Sequence, residues 1–71
     1  MRYGIVIEKS ETGYGAYAPD LPGCGVVAGT ADEAERLIQE AIDFHLEGLR
    51  EAGEEAPKPA AILKYVETRV A

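Results

Sequence analysis

Apolar and polar residues alternate over the first eight positions, where Tyr3, Ile5 and Ile7 share one face of an extended chain. This predicts a first strand over residues 3–8. The polar run Lys9 to Gly13 breaks the pattern, with Gly13 placed to supply the positive φ of a hairpin turn. Tyr14-Gly15-Ala16-Tyr17-Ala18 then resumes as a second strand. In Pro19-Asp20-Leu21-Pro22-Gly23-Cys24 two prolines remove backbone donors and Gly23 permits a left-handed turn, so the chain leaves the ladder. A third strand follows over residues 25–29.

The period changes at Thr30. Thr30 and Glu33 form a T-x-x-E capping box, and Asp32 adds negative charge at the positive end of the helix dipole. At about 100° per residue, Ala34, Ala41, Ile42, His45 and Leu49 all lie close to Ile38 in one apolar stripe, widened by Leu37 and Leu46. Gly53 is placed to end the helix in the left-handed conformation and Pro57 and Pro59 cannot continue it, which predicts a helix over residues 31–52. Residues 54–61 read as an extended, proline-stiffened linker. Residues 62–70, with Leu63, Tyr65, Val66 and Val70, read as a fourth strand.

The resulting order, β-β-β-α-β, is an α+β fold in one domain over residues 1–71. An antiparallel three-strand meander is followed by a crossover helix, which returns the fourth strand alongside the first. A chain of 71 residues gains about as much from burying its apolar surface as it loses in ordering its backbone. Burial in an oligomer or a complex is therefore expected, a homodimer or higher homo-oligomer being the form anticipated. The longest apolar run, Ala60 to Leu63, is far too short to span a bilayer, and no secretory segment precedes Glu8. The expected location is the cytoplasm.

Charge is distributed unevenly. Of 13 acids and 7 bases, nine acids and two bases fall between Asp32 and Glu55, a sum of −7, whereas the remainder of the chain sums to +1. The helix and its exit thus carry all of the net negative charge. Such a surface either solvates the helix or steers a basic partner, and it disfavours direct binding to nucleic acid.

Catalytic chemistry finds little support. His45, the single histidine, lies in the apolar stripe without a positioned partner, which suits a packed side chain better than a general base. Cys24 has no cation within six residues to lower its pKa, and with one histidine for company it cannot build a zinc site. Gly23-Cys24-Gly25 begins a G-x-G-x-x-G pattern, but its sixth position is Ala28 and the following helix opens on acids that repel phosphate. Neither a metal nor a cofactor is expected. A two-metal nuclease would draw on Glu8 and Glu67, too few converging acids for that chemistry. The tyrosines at 3, 14, 17 and 65 lack a basic groove and read as packing residues.

The segment Gly13 to Cys24, the run Gly29-Thr30-Ala31-Asp32-Glu33-Ala34 and the triplet Glu40-Ala41-Ile42 together resemble the HicB-like antitoxin family over nearly the whole chain. The resemblance implies a truncated ribonuclease-H-like fold without catalytic acids. It also implies a non-enzymatic role, binding and blocking a small basic HicA-type toxin that cleaves mRNA. Many members add a C-terminal DNA-binding domain, for which 71 residues leave no room. On this reading Asp43, Glu47, Glu51 and Glu54 are the candidates for steering the toxin. Asp20 and Leu21 in the proline turn either supply a shaped contact or hold the edge of the sheet. The alternative is a structural or adaptor oligomer without a toxin partner.

Overall fold

The computed structural model describes residues 1–70. Its elements are β1 (Val6–Lys9), β2 (Tyr14–Tyr17), β3 (Gly25–Ala28) and α1 (Ala31–Glu51). The strands form an antiparallel meander in the order β1-β2-β3. Ile7 pairs with Ala16 and Ala16 with Val26, so alternate residues across the three strands share the face that α1 covers. Ala16, Ala18, Leu21, Cys24, Ala34, Ile38 and Ile42 make the core, with Ile7, Tyr14 and Val26 packed around them. The alanines keep helix and sheet close, and Ile38 fills the centre at 1% exposure. On the opposite face Tyr17 and Val27 are exposed.

The loop between β2 and β3 explains why its sequence is so particular. The Leu21 amide donates to the Ala18 carbonyl and the Cys24 amide to the Leu21 carbonyl, each at 3.0 Å. Pro19 and Pro22 therefore occupy the second position of two successive four-residue turns, where their fixed φ is already correct. Gly23 follows Pro22 at φ 82°, the left-handed third position of a type II turn. The double turn directs Leu21 inward, where it is 0% exposed.

Both helix ends match their expected signals. The Glu33 amide donates to Thr30 Oγ1 at 3.1 Å, and Glu33 Oε1 in turn accepts from the Gly29 amide at 3.2 Å, one residue before the cap, a variant of the capping box. At the other end Gly53 takes φ 75°. Its amide donates to the Arg50 carbonyl at 3.1 Å and that of Glu54 to the Leu49 carbonyl at 2.8 Å, the two bonds of a Schellman motif.

Three expectations are corrected. Gly13 does not supply a positive φ; only Gly23 and Gly53 do so among the described residues. Gly13 is instead needed for space, since a Cβ there would lie 2.5 Å from the Ala28 carbonyl oxygen. β1 begins at Val6 rather than residue 3, because β2 ends at Tyr17 and the chain turns away, leaving residues 3–5 no partner on that side. Finally, residues 62–70 join no ladder, and the sheet has three strands among the described residues, not four. A strand is completed by a neighbouring edge, and the linker is fixed where it passes the beginning of β1. Tyr3 Oη donates to the Pro57 carbonyl at 2.5 Å. The amides of Ala60 and Ala61 donate to Asp20 Oδ2, each at 3.1 Å. Beyond Leu63, which lies against Gly4, the chain runs on exposed.

Candidate partner-binding surface

The buried stripe of α1 leaves the opposite side of the helix to solvent, and the acids concentrate there. Asp43, Glu47 and Glu51 recur every fourth residue and are exposed, so they stand one above the other on a single line along the helix. Arg36 Nη1 and Glu40 Oε2 make an ion pair at 2.9 Å one turn earlier, and it is the one ion pair among the described residues. None of the three carboxylates below it makes an ion pair among the described residues, although Arg50 stands three residues on from Glu47. Like charges at this spacing each cost a few tenths of a kcal/mol of helix stability. Glu54, just past the helix, is also exposed and extends the acidic line around the Schellman turn.

Beside this line lies an apolar feature that the expected partner contacts did not include. Phe44 is 83% exposed. At about 100° per residue it stands about 120° from Ile38, clear of the buried stripe and next to the carboxylates. One turn on, Gly48 has nothing within 4 Å of where a Cβ would be. Phe44, Gly48, His45 and Ala41 border a shallow depression closed on the other side by Gly23, Cys24 and Gly25. The signal for it was present in the chain: an aromatic on the polar side of a helical projection, followed by a helix-interior glycine that costs about 0.5–1 kcal/mol relative to alanine.

The proline-turn candidates are placed differently. Leu21 is fully buried and presents no surface to a partner. A leucine enclosed by two turns and the helix contributes core packing instead of a shaped contact. Asp20 is half-buried, and its carboxylate is occupied with the linker amides. The sequence thus brought together Asp43, Glu47, Glu51 and Glu54 on one side, and put Asp20 and Leu21 into the scaffold that holds the loop.

The remaining titratable groups are scattered. Among the described residues no three of His, Cys, Asp and Glu approach closely enough to hold a metal ion. Burial pushes the Cys24 thiol above its ordinary value, which disfavours the reactive thiolate. Among the described residues no helix is long and apolar enough to cross a membrane.

Comparison with known proteins places this geometry. Residues 3–69 match the family described as HicB_like antitoxin of bacterial toxin-antitoxin system. An uncharacterized 14.9 kDa protein from the rep-hol intergenic region of Haemophilus phage HP1 is 46% identical over 66 residues, 93% of this chain and 50% of that protein. A UPF0150 protein of Archaeoglobus fulgidus is 46% identical over 48 residues, 66% of this chain and 70% of that protein. The chain therefore spans half the length of the phage relative and more of the archaeal one. A chain of the solved HicA3 and HicB3 toxin-antitoxin complex superposes with a TM-score of 0.70 at 32% identity, over 84% of this chain and 70% of that one. With its double proline turn, capped helix and three-strand meander matched from residue 3 to residue 69, this chain belongs to the HicB-like antitoxin family of bacterial toxin–antitoxin systems.

Proposed function

We propose that this chain neutralises a small, basic, RNA-cleaving toxin of the HicA type by direct contact, without catalysis, in the cytoplasm. The observation that carries the reading is the line of carboxylates, Asp43, Glu47 and Glu51, continued by Glu54 and flanked by exposed Phe44. A protein that cleaves RNA must offer a positive surface to a polyanion. A row of fixed carboxylates competes for that surface, and an apolar anchor beside the row slows release. The complex formed by HicA3 and HicB3 supports a toxin as the partner class. The architecture is read as a truncated ribonuclease-H-like fold whose sheet carries no catalytic acid cluster.

The test is titration of the purified chain with a HicA-type toxin from the same genome, at low and at about 0.5 M salt. Exposed charges contribute about 0.2–1 kcal/mol each, so Asp43→Lys/Glu47→Lys/Glu51→Lys together weaken binding by about tenfold to a hundredfold. Salt weakens the wild-type complex in the same direction, and toxin RNase activity returns in the variant. Unchanged, salt-insensitive binding by the triple variant would sink the acidic-face reading.

Self-association is the second part of the proposal. The apolar side chains outside the core, above all those of residues 62–70, support a homodimer or higher homo-oligomer.

A further inference from the structure

The longest stretch without a structural role inside this chain is its C-terminal arm. Ile62, Leu63, Tyr65, Val66 and Val70 are all exposed, Tyr65 at 105% and Val66 at 88%. The arm is nonetheless built as a strand. Ile62, Val66, Thr68 and Val70 lie on one side of the extended chain with Lys64, and Leu63 and Tyr65 on the other, a composition rich in β-branched and aromatic residues. A compact chain of 71 residues has a radius of gyration of about 11 Å, whereas this one has 14.0 Å and reaches 48 Å along its longest axis. A compact monomer of 7.6 kDa exposes about 4,300 Å², whereas this one exposes 5920 Å². The excess of about 1,600 Å² per chain is about twice the ~800 Å² that each partner contributes to a standard interface.

The arm is also aimed. Tyr3 and Asp20 fix its root at residues 57–61, and Leu63 rests against Gly4. Less freedom remains to be lost on docking than in a loose tail. The same body offers a receptor. β1 is an edge strand with an unpaired outer side, and edges of this kind accept an added strand. Between residues 1–5 and α1 runs a groove with Ile5, Ile38, Ile42 and Leu46 along it, bordered by Glu35 and Asp43 and, at one end, by Arg2. The arm brings Lys64 and Arg69 against one acid, Glu67. Its charge complements the acids of the groove, and its apolar side complements the isoleucines.

We propose that residues 62–70 form the missing fourth strand on the β1 edge of a second copy, which returns its own arm to the first. Reciprocal exchange about a two-fold axis satisfies both edges and leaves no open end. The inference rests on the self-associating half of the reading above and shares only Asp43 with the toxin-facing line.

Sedimentation equilibrium of the full chain tests it, with three sets of variants. Tyr65→Pro and Val66→Pro, made separately, remove adjacent amides that point to opposite sides of a strand, so one of them must delete a ladder bond. Both positions are exposed in the single chain, and helix content by circular dichroism stays unchanged. At least one variant self-associates about a hundredfold more weakly than wild type. Lys64→Glu places an acid on the groove-facing side of the arm, and Glu35→Lys/Asp43→Lys gives a basic groove. Each is weakened alone, and mixing the two restores a one-to-one dimer, because every arm then meets a groove of opposite charge. A wild-type chain that stays monomeric at about 100 μM overturns both self-association and arm exchange. A dimer untouched by either proline, or charge variants that do not rescue each other, overturns arm exchange alone.

Discussion

Removing the Asp20 carboxylate tests whether the root of the arm is held by the proline loop. In Asp20→Ala the amides of Ala60 and Ala61 lose their common acceptor, Oδ2, at 3.1 Å from each. Hydrogen bonds to a charged group contribute about 1.5–3 kcal/mol when shielded. Both linker residues are exposed and Asp20 is half-buried, so water replaces part of the loss and about 1 kcal/mol per bond is the better figure. The total of about 2 kcal/mol corresponds to a factor of about 30 in local opening. Only the linker depends on these bonds, since Leu21 and the two turn amides beside it are held by other contacts. Amide exchange at Ala60 and Ala61, followed by NMR, should therefore accelerate about 30-fold, while the core amides of α1 keep their protection and the unfolding midpoint moves little. Asp20→Asn, which keeps one neutral acceptor, should fall between. Unchanged exchange at the two alanines would refute the clasp. A large fall in global stability would show that Asp20 acts on the core and not on the arm.

Other expectations can be checked by denaturant unfolding. Leu21→Ala empties a position at 0% exposure and should cost about 2–5 kcal/mol, and a loss below 1 kcal/mol would mean that the double turn collapses onto the space. Thr30→Ala removes the acceptor of the Glu33 amide and should cost about 1 kcal/mol, with a smaller loss in a background already lacking the Glu33 carboxylate. Folding holds the Cys24 thiol above its ordinary value of 9.0 by burial, so the folded state retains a proton that the unfolded chain releases. Stability contributed this way is intact below that value and declines as pH rises above it. Wild type should therefore lose stability above pH 9.0 more steeply than Cys24→Ala, and parallel pH profiles would count against burial of the thiol.

Much of the fold was legible because its signals are local. The Thr30-to-Glu33 box, Gly53 and the stripe around Ile38 place α1 within a residue at its C-terminus. Period-two runs and Pro-Gly chemistry place the three strands and the loop, with β1 shifted by three residues at its start because its length depends on what β2 offers. Non-local facts were not legible. Alternation in residues 62–70 says that the segment is to be covered but does not name the edge that covers it. Leu21 stands between polar and turn-forming neighbours, and two successive turns, not a periodic pattern, drive it inward. Gly13 was recognised as necessary for the wrong reason, since the approach of Ala28 is a tertiary contact. For the surface, i,i+4 spacing was enough to align Asp43, Glu47 and Glu51. Phe44 escaped because an aromatic residue is ordinarily assigned to the interior.

The linker has a consequence for how the chain chooses between closing on itself and reaching outward. Pro57 and Pro59 stiffen the segment between Gly53 and the clasp at Ala60, and a stiff spacer lowers the effective concentration of an arm for its own body. For the arm exchange proposed above, the hinge would therefore set the monomer–dimer balance alongside the interface. Shifting that balance would take no new contact, only a softer or longer connection.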